Sequence, residues 1–214
     1  MSPRGGGRDR TSPITRLKES THPAAGLARD LLWVAGVVGG IALVLFLVAG
    51  TWPAVVTVES ESMVPHMAVG DLVFVVEEDR FGTLTTWAEG QTTGYRSFGD
   101  FGDVIVYRPN GADGITPIIH RAMVRVNASE MAPYYPDPHG GILTRGDNNN
   151  AIDQGTSYAG IGPIEPVTDE WIVGKALFAI PLVGYIPLHP VEFGVLILAV
   201  LLVQEFRERR RDGG

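Results

Sequence analysis

A mainly β domain flanked by two transmembrane helices is the fold class that the sequence predicts, and three observations predict it. Residues 31–50 form an apolar run without a charge. A second apolar segment closes the chain just ahead of an arginine block. Between the two lie short β-prone stretches punctuated by Pro and Gly. At 214 residues there is room for one folded domain plus its anchors.

Residues 1–30 carry six Lys or Arg against three acids and offer no sustained apolar face, so they read as a disordered basic tail. The run at 31–50 is next, and 20 helical residues match the roughly 30 Å hydrocarbon core of a bilayer. A cleavable leader would have a shorter apolar region of roughly 7–15 residues, so an uncleaved anchor is expected. Residues 51–175 read as the β domain. Stretches 54–58, 71–76, 103–107, 118–126 and 171–173 are its candidate strands, with turn chemistry at Pro109-Asn110-Gly111 and from Pro136 to Gly141. The stretch 80–100, rich in Gly and Thr with Phe81, Trp87, Tyr95 and Phe98, reads as a surface loop. Its aromatics could alternatively rest on a membrane interface. From 176 to 206 the chain is again mostly apolar, and a second span is expected at about 188–206, with Glu192 near the outer interface. Residues 207–214 hold Arg207, Arg209, Arg210 and Arg211. Basic residues outside both spans predict that both termini are cytoplasmic and that the β domain lies on the other side of the cell membrane.

Composition removes several function classes. Residues 51–175 carry 17 acids against seven bases, which excludes a basic nucleic-acid footprint. Cysteine is absent, so there is no disulfide and no thiolate ligand or nucleophile. The five histidines are scattered, without the paired spacing of a zinc helix, and neither a metal nor a cofactor is expected. Lysine occurs only at Lys18 and Lys175, and an acidic, lysine-poor domain predicts a source living in concentrated salt.

The chemistry-bearing residues stand in order. Ser60-Glu61-Ser62-Met63-Val64-Pro65 begins ten residues past the first apolar run. Pro65 biases Val64 away from helical geometry, so the chain does not coil at once after Ser62. His120 sits in an apolar stretch beside Arg121, and Gly146-Asp147-Asn148-Asn149 with Asp153 follows. Singly these are weak signals: a Ser-x-Ser pair is usually a turn, and Gly-Asp-Asn-Asn tolerates positive φ. Together, Ser62, His120 and a carboxylate from Asp147 or Asp153 can form a nucleophile, a general base and its orienter. An unperturbed imidazole titrates near pH ~6.5, which suits a base. His66, four residues from Ser62, is a rival base, although Pro65 directs it elsewhere; His139 lies in a Pro/Gly loop.

These residues resemble the ordered boxes of type I signal peptidases. Ser60-x-Ser62-Met-x-Pro, Gly102-Asp103-Val104-Ile105-Val106, Ile119-His120-Arg121 and Gly146-Asp147-Asn148-Asn149 with Asp153 carry the likeness, over most of residues 53–154. Bacterial members typically have a lysine where His120 stands, so the chain is more similar to the archaeal and endoplasmic-reticulum branch. The resemblance implies a signal-peptidase-like fold, Ser62 as nucleophile, His120 as base, and Ser60 with the Ser62 backbone as oxyanion donors. It also implies Asp153 as the orienter and Asp147 as a supporting carboxylate. Implied partners are preproteins bearing signal peptides, membrane lipid and the protein translocation channel. One departure is Glu61, where the family usually has glycine. The alternatives are a membrane-tethered β domain that binds extended peptides without catalysis, and a related peptidase for a specialised precursor.

Overall fold

The computed structural model describes residues 23–158, 160–196, 198–199 and 203–204. The tail over 1–22, the arginine-rich end and parts of the expected second span lie outside the described residues. The chain divides into two units, Met1–Leu47 and Val48–Gly214.

Helix α1 (Pro23–Ala49) contains every described residue of the first unit, and its Gly26–Ala49 portion is long and apolar enough to cross a membrane. It starts ahead of the apolar run, so residues 23–30 are helical rather than part of a tail. Proline is tolerated at the first helical position, and Ala24, Ala25, Leu27 and Ala28 that follow are good or acceptable helix formers.

The second unit is β-rich. Its main strands are β1 (Val55–Thr57), β2 (Leu72–Val76), β5 (Val104–Tyr107), β6 (Ile118–Val126), β7 (Gly141–Arg145) and β10 (Ile172–Ile180). They form one antiparallel sheet in the order β1-β2-β10-β5-β6-β7. Two small hairpins stand apart, β3 (Arg96–Ser97) with β4 (Asp100–Phe101) and β8 (Ser157–Tyr158) with β9 (Gly162–Pro163). Short helices α2 (Trp87–Thr93), α3 (Ala128–Met131) and α4 (Tyr185–Leu188) complete the unit.

Strand β5 explains where the core sits. Its residues alternate between the faces of the sheet, and both faces are covered. Val104 and Val106 pack with Val58, Met63, Met67, Val73, Val75, Val173 and Ala176. Ile105 and Tyr107 pack on the other side with Ala122, Ile142 and Val167. Each fully buried aliphatic side chain here contributes about 1.5–3 kcal/mol before chain entropy is counted. Met63 and Met67 matter most for the site, because they root the serine-bearing turn in this core.

Two segments differ from the sequence reading. Residues 80–100 are not a plain loop. Thr86 and Glu89 form a capping box at the start of α2, and Gly94 ends that helix at φ 82°. Trp87 packs edge-on against Phe101, with ring centroids 6.3 Å apart, so it is not an open aromatic anchor. The apolar stretch from 176 also begins inside the sheet, as the second half of β10, and residues 190–196 are helical. A continuous apolar run of that length does not by itself distinguish a buried strand from a helix.

Gly174 tests the sheet register. A Cβ there would lie 2.3 Å from the Val76 carbonyl oxygen, backbone that cannot yield as a side chain could. Gly174→Ala is expected to lower stability by about 1–3 kcal/mol through overpacking. The check is the thermal unfolding midpoint in detergent, and an unchanged midpoint would contradict the pairing of β10 with β2.

Candidate active site

Ser62 lies in a short 3₁₀ turn, Glu61–Met63. Ser60 before it is extended (φ −134°, ψ 165°), and Val64 after it is extended again (φ −62°, ψ 138°). The turn therefore lasts only long enough to present Ser62. Met63 and Met67, both fully buried, hold it from below. Glu61 does not adopt positive φ, and its side chain is exposed. Glutamate is thus accommodated at that position without backbone strain.

His120 comes from β6, paired with Ile105 of β5. Its Nε2 is 2.9 Å from Ser62 Oγ, and its Nδ1 is 2.6 Å from Asp153 Oδ2. A carboxylate only accepts, so Nδ1 carries the proton and Nε2 presents its lone pair to the serine hydroxyl. That is the tautomer a general base requires. The same Asp153 oxygen accepts from Thr144 Oγ1 at 2.6 Å and from the Tyr107 hydroxyl at 3.0 Å. Burial pushes the Tyr107 hydroxyl far above its usual range, and the Asp153 charge adds to the effect, so it remains a neutral donor. Ser60 Oγ is 3.1 Å from Ser62 Oγ.

Asp147 is held elsewhere. Arg121 Nε and Nη2 donate to its two carboxylate oxygens at 2.7 and 2.6 Å, a bidentate fork. The Arg121 side chain is 1% exposed and Asp147 7%. Arg121 Nη1 also reaches the carbonyls of Ser97, Phe101 and Gly102. His66 Nδ1 lies 2.8 Å from Asp147 Oδ2 and thus faces away from a base role. The next residue closes the site: Asn148 N donates to the Ser62 carbonyl at 2.8 Å, and Asn148 Nδ2 to the Glu61 carbonyl at 3.1 Å. Gly146 makes this approach possible, since a Cβ there would lie 2.6 Å from the Ser62 carbonyl and 2.9 Å from His120 Nε2.

The structure thus brings Ser60, Ser62, His120 and Asp153 into one hydrogen-bonded line and sets Asp147 beside it, on Arg121. His139 is remote from this line and faces Glu165. Lys175 is buried and donates to the Gly82 carbonyl. Tyr107, Thr144 and the anchoring role of Arg121 carried no signal in the sequence beyond their polarity within apolar strands. Among the described residues no cluster of three or more His, Asp or Glu is placed to hold a metal.

A cleft of about 390 Å³ opens at Ser62, lined by Thr57, Glu59, Ser60, Pro117, Ile119 and Tyr158 among others. A neighbouring cleft of about 300 Å³ shares Thr57, Glu59, Pro117 and Ile119 and adds Val56, Val106 and Leu188. Its walls are β1 on one side and the start of β6 on the other, strands far apart in sheet order, so the sheet is strongly curled. β1 pairs only with β2 among the described strands. β7 covers β6 only from Arg121 to Val126, which leaves Ile118 to His120 open on that side. The cleft is therefore bordered by unpaired backbone on both walls.

The chain is similar to fungal proteins. It is 30% identical over 159 residues to the signal peptidase complex catalytic subunit of Metarhizium robertsii, covering 71% of this chain and 76% of that protein. The counterpart in Aspergillus terreus is 31% identical over 173 residues, covering 73% and 79%. That of Schizophyllum commune is 29% identical over 180 residues, covering 75% and 81%. No family model matches the chain. These relatives are eukaryotic and lend no support to the archaeal, salt-adapted source that the acidic composition predicts.

Removing Arg121 should be costly, because it leaves the Asp147 charge buried without its main partner. Arg121→Met is expected to destabilise the protein by about 3–5 kcal/mol. The double variant Arg121→Met with Asp147→Leu should recover part of that loss in chemical unfolding. Losses that simply add would show that the pair is not coupled.

Proposed function

The chain belongs to the signal peptidase family, and from that premise we propose that it is a membrane-anchored serine endopeptidase that removes signal peptides from preproteins, signal peptidase I in type. The observation that carries this reading is the line from Ser62 Oγ through His120 to Asp153, with a cleft opening on the serine. Ser62 attacks the scissile carbonyl while His120 Nε2 takes its proton. Asp153 holds the imidazole in the required tautomer and stabilises the imidazolium that forms. The Ser62 backbone N–H and the Ser60 hydroxyl stabilise the oxyanion. The leaving amine takes the proton back from His120, and water, activated by the same imidazole, then releases the acyl group. Asp147 has no place in this proton path and acts through Arg121.

The substrate enters as a strand. Unpaired backbone at β1 and at residues 118–120 supports this, since an extended peptide between them can hydrogen-bond on either side. Val56, Val106, Ile119 and Leu188 line the neighbouring cleft and offer apolar contacts to the substrate's side chains. Helix α1 and a second span at about 188–206 hold the enzyme in the bilayer that also holds the signal helix of its substrate, which raises their effective concentration. Both termini are then cytoplasmic and the catalytic domain lies on the opposite side, facing lipid headgroups and the mouth of the translocation channel.

Membranes carrying the wild type are expected to cleave a test preprotein, and Ser62→Ala or His120→Ala to abolish cleavage in a folded, inserted protein. Ser60→Ala should lower the rate by about 10²–10³, the size of a lost oxyanion donor. Asp153→Asn should cost on the order of 10⁴ in kcat, because it misorients the base. Wild-type turnover by Asp153→Asn would remove it from the triad. Peptide binding without cleavage by the wild type would favour a non-catalytic binding module instead.

A further inference from the structure

The mechanism leaves the imidazole of His66, close to the nucleophile, unused. His66 follows Ser62 by four residues, and its backbone N–H bonds to the Met63 carbonyl, so it belongs to the same turn. Its ring is half-buried and lies against the tip of the β3–β4 hairpin. A Cβ on Gly99 would come within 2.6 Å of His66 Cδ2, so only a glycine leaves space for the ring there. From that seat Nδ1 reaches Asp147 Oδ2 at 2.8 Å. Because the partner is a carboxylate, Nδ1 must be the donor.

The geometry points to His66 as a positioning residue: its Nδ1–H ties the nucleophile turn to Asp147, and through Arg121 to the strand that carries the base. This rests on the reading of Ser62 and His120 given above. The connection forms a closed ring of contacts. Asp147 is clasped by Arg121, which adjoins His120 on β6. Asn148, adjacent to Asp147, holds the Glu61 and Ser62 carbonyls. His66 joins the far end of the turn to the same loop. The 146–149 loop thereby grips the turn on both sides of Ser62 Oγ, and the position of that oxygen relative to His120 Nε2 is set from two directions. Without His66 only the Asn148 side of the grip remains. The turn, still rooted in the core by Met63 and Met67, then keeps one polar tie to the loop instead of two, and a displacement of about 1 Å between nucleophile and base is enough to cost on the order of 10²-fold in rate.

The test compares His66→Ala, His66→Asn and His66→Asp in the full chain in detergent or proteoliposomes. Asparagine offers an amide N–H at about the reach of imidazole Nδ1, whereas aspartate offers only acceptors. Three quantities are read: kcat and KM on a test preprotein, the rate at which a fluorophosphonate labels Ser62, and the unfolding midpoint. Expected for His66→Ala is a fall of about 10–100-fold in kcat and in labelling, with KM within about threefold. His66→Asn should return both rates to within about threefold of wild type, while His66→Asp stays slow. Should His66→Ala not fold, the Asn and Asp pair decides by the same criterion. Unchanged rates in His66→Ala, equal losses in His66→Asn and His66→Asp, or a loss confined to KM would each overturn the role. A wild type that neither cleaves nor labels would instead remove the catalytic reading, and this role with it.

Discussion

The buried guanidinium of Arg121 is the contact on which the rest of the site depends. It sits in β6 directly after the histidine, and its hydrogen bonds reach the β3–β4 hairpin, Gly102 ahead of β5, and Asp147. A cation this deeply buried is tolerable only with nearly all its donors met, and its neighbours are arranged to meet them. The carbonyls of Ser97, Phe101 and Gly102 converge on it because the hairpin turns tightly at Phe98 and Gly99, at φ 49° and 79°. A phenylalanine in the left-handed region is strained, and packing of that ring against the core beneath the serine turn offsets the strain.

The two carboxylates are separated by their surroundings more than by their chemistry. Asp153 accepts from an imidazole and two hydroxyls, all neutral donors, so its charge is left to act on His120. Asp147 meets a full positive charge in fork geometry, and its own charge is largely spent there. The sequence offers both as Asp residues near one Gly-Asp-Asn-Asn segment and cannot rank them by spacing alone. The ranking comes from β7, which turns Thr144 and the returning chain so that Asp153 N meets the Thr144 carbonyl at 2.8 Å.

Much of the fold was legible because β-prone apolar stretches and Pro/Gly punctuation marked β1, β2, β5 and β6, and the run at 31–50 marked α1. The Ser62, His120 and Asp153 candidates were legible only as an ordered set. Other parts were hidden for physical reasons. β7 is five residues long and rises out of a Pro/Gly-rich stretch, so it lacked a periodic signal. The β3–β4 hairpin has Phe-Gly where Asn-Gly would announce a tight turn. Helix α2 did carry a mark, Thr86-x-x-Glu89, but its seven residues show no helical stripe to go with it. Arg121 was visible as a residue and not as a hub, since the atoms it binds are mostly backbone carbonyls, on which sequence is silent.

The open backbone along β1 and residues 118–120 has a consequence for selectivity. A sheet that is completed only by its guest reads the guest's main chain first, and every extended peptide has the same main chain. Recognition of that kind is indifferent to most side chains, and it admits a wide population of sequences on equal terms. Discrimination then falls to the few side chains that line the cleft, and to whether a segment can be drawn out straight at all. Chain stretches already committed to helix or to a folded domain are refused because their amides are taken, whatever residues they contain.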